Sequence, residues 1–197
     1  MPVWMHQRAM DLMLERCGLC LNRLRHKLGE RLMQGSEIVR PDFILGETLR
    51  TNLIGRPLQI LSLSKGSGPG DLAVWDPSTA TLIAGGLVSH QRIPQLLDGQ
   101  IEDGLRALDF LAELPAARLI PGYGPPGSAQ VLVDQKQYLQ AMQRIVQSAL
   151  QSGISLGQLA DLPSQGPWSA WDGYPHQHLQ NLHEIYLGLE HAGLLQR

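Results

Sequence analysis

The stretch Lys65–Asp76 reads KGSGPGDLAVWD, and it decides how the β part of the chain is organised. Its first half is a glycine-rich loop. The alternating apolar residues that follow, Leu72 and Val74, predict a β-strand that leaves this loop. Asp76-Pro77 then starts a turn, and the β-type run Thr81–Ala84 follows it closely. We therefore expect the two strands to pair as an antiparallel hairpin.

Helical and strand patterns alternate along the rest of the chain. The predicted helices cover, in order, about residues 9–32, 101–114, 128–152 and 178–195. The predicted strands outside the hairpin cover residues 38–39, 58–63 and 118–120. Gly35 is expected to end the first helix, and Ser155 is expected to cap a brief helical turn. This order indicates an α/β protein, and the length fits a single domain over residues 1–197.

Composition excludes several classes of function. The 197 residues are 43% hydrophobic and 17% charged with a net charge of −2, which is typical of a globular protein without the basic surface that nucleic acids need. The sequence contains no apolar run long enough to span a membrane. Residues 1–6 lack the pattern of a signal peptide, which favours a cytoplasmic location for the chain as given. A start further upstream would make a periplasmic location compatible with the sequence.

Three segments resemble the metallo-β-lactamase superfamily, in which they read roughly H-T-x-G-D, F-T-G-D and P-G-H-G-P. In that family the three segments supply a His, an Asp and a His to a zinc site. The corresponding segments here are 65–71, 82–88 and 119–125, and the ligand positions hold Ser67, Gly86 and Tyr123. The H-x-H-x-D-H string that supplies the family's other ligands does not occur in this sequence. The resemblance therefore implies the family's fold without its zinc centre, so no cofactor is predicted.

The resemblance extends over most of the chain. Residues 71–114 are similar to the branch of zinc metallohydrolases associated with quinoprotein or sulfur-oxidation systems, and residues 4–35 resemble the helical region after the H-x-H-x-D-H loop. This implies a partial αββα sandwich, made of the C-terminal half and the preceding helical region and incomplete at its N-terminus. Because most of the first sheet would be missing, we expect an uncovered apolar sheet face. A homo-oligomer that covers this face, or poor stability, would follow.

The resemblance also brings candidate catalytic residues to one rim of the fold. Ser67, Asp71, His90 and Tyr123 all lie on loops at that rim, and in the family the aspartate at the position of Asp71 shapes its loop. A nucleophile needs an adjacent base, and a pair formed by Ser67 and His90 would supply one. Whether the chain is an enzyme stays open at this stage, and the sequence does not identify a small-molecule substrate.

Two further groups of residues carry alternative interpretations. Cys17 and Cys20 form a C-x-x-C inside the first predicted helix, where they are either small packing residues or a redox dithiol. His176, His178 and His183 lie close together near the C-terminus. The spacing of the last two does not place them on one helix face, so structural roles are favoured over a metal or substrate site.

The leading hypothesis is a metallo-β-lactamase-fold protein without the family's hydrolase activity, either a pseudoenzyme or a fragment, that acts through binding or assembly. The first alternative is a metal-dependent hydrolase of the same superfamily with a different ligand set. The second is a dithiol redox or binding protein that uses Cys17 and Cys20.

Overall fold

The α-helices, and the strands from residue 58 onward, occur in the order that the sequence predicts. The computed structural model describes residues 2–65, 68–96, 101–162, 166–174 and 176–194. The strands are β1 (Trp4–His6), β2 (Phe43–Leu45), β3 (Leu49–Thr51), β4 (Leu58–Lys65), β5 (Pro69–Asp76), β6 (Thr81–Ser89) and β7 (Arg118–Tyr123). The α-helices are α1 (Gln7–Leu28), α2 (Ile101–Ala112), α3 (Gln130–Gln151) and α4 (His176–Leu194). Short 3-10 helices cover Leu156–Asp161 and Pro167–Ala170.

Five strands form one mixed sheet in the order β3-β4-β5-β6-β7. Neighbours from β3 to β6 are antiparallel, and the predicted hairpin of β5 and β6 is confirmed by the pairing of Val74 with Ile83. β6 and β7 are parallel, so the chain must cross over between them, and α2 lies in that crossover. β1 and β2 form a separate parallel pair.

The core lies between this sheet and the helices α2 and α3. Alternation along β5 buries Ala73 and Trp75, which are 1% and 5% exposed, and leaves Leu72 and Val74 half-buried on the opposite face. The fully buried side chains of the core include Leu82, Leu108, Leu111, Leu119, Tyr138, Leu139 and Met142. Burying each large apolar side chain contributes about 1.5–3 kcal/mol, so this interface accounts for much of the stability of the fold.

The opposite face of the sheet is partly uncovered, as the resemblance implies. Ile83, near the start of β6, is 42% exposed. It lies in an open groove of about 290 Å³ together with Leu58, Val74 and Ile120. Arg56 and Arg118 lie at this groove, and Arg56 forms an ion pair with the buried Asp76 at 2.8 Å. None of the described helices is long and apolar enough to cross a membrane.

Two predictions for the N-terminal region were wrong. Helix α1 ends at Leu28 instead of near residue 32, because Gly29 adopts φ +83° and its N–H donates to the carbonyl of Arg25 at 2.8 Å. Residues 38–39 form no strand, and β2 follows at Phe43–Leu45. β2 pairs with β1, where the rings of Trp4 and Phe43 stack with centroids 4.5 Å apart. This pairing joins segments far apart in sequence, which local patterns do not reveal.

The other helix predictions are confirmed within two residues at their starts. Ser155 caps the 3-10 helix Leu156–Asp161, since its N–H donates to Oε1 of Gln158 at 2.9 Å. This reciprocal arrangement is a capping box, and it satisfies a backbone donor that the helix itself cannot use.

Glycine permits a very close approach of β6 and β7. A β-carbon on Gly122 would lie 2.3 Å from the carbonyl oxygen of Gly85, well inside van der Waals contact. The register of the parallel pair shifts in this region, where Gly85 lies opposite Pro121. The two strands can therefore come this close only because Gly122 carries no side chain.

A buried polar network ties α4 to the core. Asn181 is fully buried, and its Nδ2 donates to the carbonyl of Pro94 at 2.7 Å and to the Tyr138 hydroxyl at 3.1 Å. Burial raises the pKa of the Tyr138 phenol well above its ordinary value. His178 packs beside it, with its ring centroid 4.7 Å from that of Tyr174. The Nδ1 atom of His178 is buried and has no hydrogen-bond partner among the described residues, and desolvation lowers the pKa of this imidazole.

Substitution of Gly122 tests the close approach of the strands. We expect Gly122→Ala to lower the free energy of unfolding by about 2–4 kcal/mol, because the added β-carbon must push β6 and β7 apart. Gly188→Ala is the matched control. Its β-carbon meets nothing within 4 Å on α4, so it should raise stability by up to about 1 kcal/mol. Urea unfolding followed by circular dichroism measures both, and a Gly122→Ala protein as stable as wild type would contradict this account.

His178 should make stability depend on pH. The folded state lowers the pKa of this histidine, whereas the unfolded chain protonates it near its ordinary value of 6.5. Its contribution to stability is therefore present above pH 6.5 and is lost as the pH falls below it. Between pH 7.5 and pH 5 the free energy of unfolding, measured by urea denaturation, should fall less steeply in His178→Gln than in wild type. The control is His176→Gln, at an exposed position of the same helix, in which the free energy of unfolding should fall with pH as in wild type. A His178→Gln protein whose free energy of unfolding falls as steeply as that of wild type would show that His178 does not cause the pH dependence.

Candidate functional site

The candidate residues gather at one edge of the five-stranded sheet. Because β6 and β7 are parallel and β5 is antiparallel to β6, the carboxyl ends of β6 and β7 lie beside the amino end of β5. Asp71, Gly86, His90 and Tyr123 all occur on or just after these strand ends. Ser67 lies outside the described residues, so its proposed pairing with His90 stays a prediction.

The backbone joins the loop after β6 to the end of β7. The N–H of His90 donates to the carbonyl of Tyr123 at 2.9 Å. Gly124 adopts φ +88°, and a β-carbon there would lie 1.9 Å from the carbonyl oxygen of His90. A side chain at this position would therefore disrupt the contact between the two loops.

The His90 ring has a defined orientation. Its Nδ1 lies 2.7 Å from the carbonyl oxygen of Pro125. A carbonyl oxygen only accepts hydrogen bonds, so Nδ1 carries the proton and, in the neutral ring, Nε2 is the acceptor. The residue that orients the imidazole is thus a backbone carbonyl, whereas a catalytic triad uses a carboxylate for this purpose.

Asp71 lies near the start of β5 and bonds to the residue just before the strand. Its Oδ2 accepts a hydrogen bond from the N–H of Gly68 at 2.7 Å. Gly70, between these two residues, adopts φ +84°. A β-carbon on Gly70 would lie 2.6 Å from Nδ1 of His6, the buried residue that caps α1. The start of β5 therefore packs directly on the start of α1.

Arg92 occupies the space beside Tyr123. The Tyr123 side chain is 49% exposed, and the Arg92 guanidinium carbon lies 5.5 Å from the centroid of its ring, which is a cation–π arrangement. Nη1 of Arg92 also donates to Oδ2 of Asp172 at 2.8 Å. Backbone hydrogen bonds of Ile93 and Gln91 with Asp172 hold the two segments together. Arg92 therefore has partners on two sides that fix its position at the rim.

The residues at this edge do not fit the family's zinc centre. Zinc is bound in proteins by imidazole, thiolate and carboxylate groups, usually three or four of them. Gly86 offers no side-chain donor, and Tyr123 offers a phenol that stacks with a permanent cation. Of the residues at the three ligand strands, His90 offers Nε2, and Asp71 offers a carboxylate that already accepts a hydrogen bond from the N–H of Gly68. Within the described ranges no three His, Cys, Asp or Glu residues form a group that could hold a metal ion.

The other sequence candidates do not join this edge as a group. His178 is buried in the network around Tyr138, His176 is exposed and His183 is half-buried, all on α4. Cys17 and Cys20 lie on α1 as free thiols, one half-buried and the other exposed.

Two residues of the edge were missed by the sequence analysis. Arg92 was considered only within residues 71–114 and not as a site residue. An arginine just after a glycine-rich strand end could have indicated a charged rim. Next to Arg92 a groove of about 210 Å³ opens between the loop after β6 and the start of α4, lined by Ile93, Gln95, Gly173, Tyr174, His176 and Gln177. His6 was missed because its contact with Gly70 joins distant segments.

Comparisons with known proteins bear on the fold. No protein-family model matches the sequence, and a search of curated proteins found no match. The structure is similar to a metallo-β-lactamase family protein from Thermus thermophilus, with a TM-score of 0.65 and 18% identity over 98% of this chain and 67% of that chain. It is also similar to a double mutant of the sec-alkyl sulfatase PisA1, with a TM-score of 0.62 and 15% identity over 77% of this chain and 27% of that chain.

A metallo-β-lactamase from Pontibacter korlensis aligns with a TM-score of 0.49 and 19% identity over 61% of this chain. That alignment spans 62% of the length of the Pontibacter protein. With the sheet order and the site edge described above, the likenesses to the Thermus protein and the sulfatase show that this chain has the metallo-β-lactamase fold.

Proposed function

We propose that this chain is a non-catalytic metallo-β-lactamase-fold protein that acts through binding or assembly. The observation that carries the proposal is the Arg92 guanidinium over Tyr123, the residue at the family's third ligand position in this part of the fold. The guanidinium packs against the Tyr123 ring and is held there by its ion pair with Asp172, so a metal ion at this position would have to displace an arginine that already has two partners.

The donor chemistry supports the same proposal. A hydrolytic zinc site lowers the pKa of a bound water, and this needs several ligands that converge on one point. Among the described candidates at this edge, His90 offers an imidazole, the Asp71 carboxylate is engaged by the N–H of Gly68, and Gly86 has no side chain. Another residue could replace one missing ligand. Here two ligand positions hold Gly86 and Tyr123, and Arg92 packs on the second of them, so several replacements would be needed at once.

A dithiol redox function has less physical support. Cys17 and Cys20 lie well inside α1, which begins at Gln7. Reactive C-x-x-C thiols are activated at a helix N-terminus, where the helix dipole lowers the thiol pKa, and this advantage is absent in the interior of a helix. One thiol is half-buried and the other exposed, which also suits a packing role.

Metal analysis of the purified protein tests the proposal. The protein is equilibrated with zinc, and unbound zinc is then removed. We expect the zinc content of variants at the edge to equal that of wild type, because Tyr123 and His90 bind no metal. The variants are Tyr123→Ala and His90→Ala, and elemental analysis by mass spectrometry gives the zinc content per chain. Phe110→Ala, at a similarly exposed aromatic position on α2, is the matched control.

Zinc bound elsewhere, at Cys17 and Cys20 or at the α4 histidines, would persist in all three variants and would leave the proposal intact. Stoichiometric zinc in wild type that is lost in Tyr123→Ala and His90→Ala, but kept in Phe110→Ala, would overturn it. That result would favour the metal-dependent hydrolase instead.

A further inference from the structure

Helix α1 carries a continuous apolar seam that the chain itself covers only in part, since Met10, Cys17 and Leu21 are half-buried and the other three residues are exposed. No residue of this 22-residue helix is buried. Leu14, Leu24 and Leu28 are 40%, 38% and 45% exposed. Among the named elements α1 packs chiefly on β1 and β5, where the backbone N of Ala9 approaches Gly70. The seam consists of Met10, Leu14, Cys17, Leu21, Leu24 and Leu28.

The spacing of the seam is that of a coiled coil. Its residues follow one another at alternating intervals of four and three, as the a and d positions of a heptad repeat do. Such a narrow seam suits packing against a single second helix, whereas a helix that covers a sheet presents a wider apolar face. A helix of this length extends over about 33 Å, enough for three heptads of contact.

Antiparallel pairing with a second copy of α1 places the seam in register with itself. In that arrangement each a residue faces a d residue of the other helix. The facing layers are Met10 with Leu28, Leu14 with Leu24, and Cys17 with Leu21. Each layer occurs twice, because a two-fold axis crosses the helix pair at the level of residue 19. Every residue of the seam then has an apolar partner, so the surface is complementary to itself.

The charges that flank the seam favour this orientation. Antiparallel pairing sets Asp11 opposite Arg25 of the second copy, and the two-fold axis repeats this pair of opposite charges. Parallel pairing would set Arg25 opposite Cys20 and leave both charges without a partner across the helices. Arg25 is half-buried and already held in place by a hydrogen bond from its Nη2 to the carbonyl of Ser36 at 2.8 Å, which limits the entropy lost on pairing.

We propose that two copies of this chain associate through antiparallel pairing of their α1 helices. The uncovered sheet face around Ile83 offers no comparable register or charge pattern that identifies its partner. The α1 seam offers both, and its partner is a second copy of this chain.

Sedimentation equilibrium of the full chain tests the association. Wild type should be a dimer at micromolar concentration, and Leu24→Gln should weaken dimerisation roughly a hundredfold, because each dimer loses two buried leucine contacts. Leu19→Gln is the matched control, since Leu19 is 67% exposed and lies outside the seam. Circular dichroism should show that both variants keep the fold. A monomeric wild type, or equal weakening by the two substitutions, would overturn the proposal.

Charge exchange tests the orientation. Asp11→Arg and Arg25→Asp should each weaken the dimer, and the double variant should restore it. Cross-linking of single-cysteine variants by a short bismaleimide provides a second measure, because antiparallel pairing brings the two Cys20 side chains to the same side near the axis. We expect the Cys17→Ser protein to be cross-linked through Cys20. We also expect the double charge-exchange variant to dimerise like wild type. A double variant that stays monomeric, or cross-linking that requires Cys17, would refute antiparallel pairing.

Discussion

The parallel pairing of β6 with β7 is the constraint on which the candidate site depends. It forces α2 to cross from one strand to the next, and it brings the carboxyl ends of both strands to the same edge of the sheet. At that edge the backbones at Gly85 and Gly122 are too close for a β-carbon, and the loop of His90 bonds to Tyr123. These contacts involve backbone atoms, so they preserve the architecture of the edge whatever side chains it carries.

Because these contacts involve backbone atoms, the fold at this edge does not depend on which side chains stand at the ligand positions. Asp71 still closes its loop through the N–H of Gly68, and Gly124 still permits the contact with His90. The side chains that would bind metal are different. A guanidinium and a phenol stack at the rim, and the imidazole of His90 is oriented by the carbonyl of Pro125. The edge thus presents the Tyr123 ring and the Arg92–Asp172 ion pair next to a groove.

Much of this could be predicted from sequence, where the determining interactions are local. Alternating residues around Val74 and the turn at Asp76-Pro77 specified the hairpin, and Ser155 specified the start of the 3-10 helix that it caps. The end of α1 was misjudged because Gly29, and not Gly35, adopts the left-handed conformation that stops the helix. Sequence could identify Gly86 and Tyr123 as altered ligand positions, but the position of Arg92 depends on Asp172, eighty residues further along the chain. Such long-range contacts leave no periodic signal in one sequence.

The most direct test of this account is a crystal structure of the protein grown with zinc, with anomalous diffraction recorded at the zinc absorption edge. We predict that the anomalous map contains no peak bonded to Nε2 of His90 or to the Tyr123 hydroxyl, and that Arg92 stays over the Tyr123 ring. A zinc ion bonded to both His90 and Tyr123, with Arg92 displaced, would contradict the central claim that this edge keeps the fold and has lost the metal chemistry.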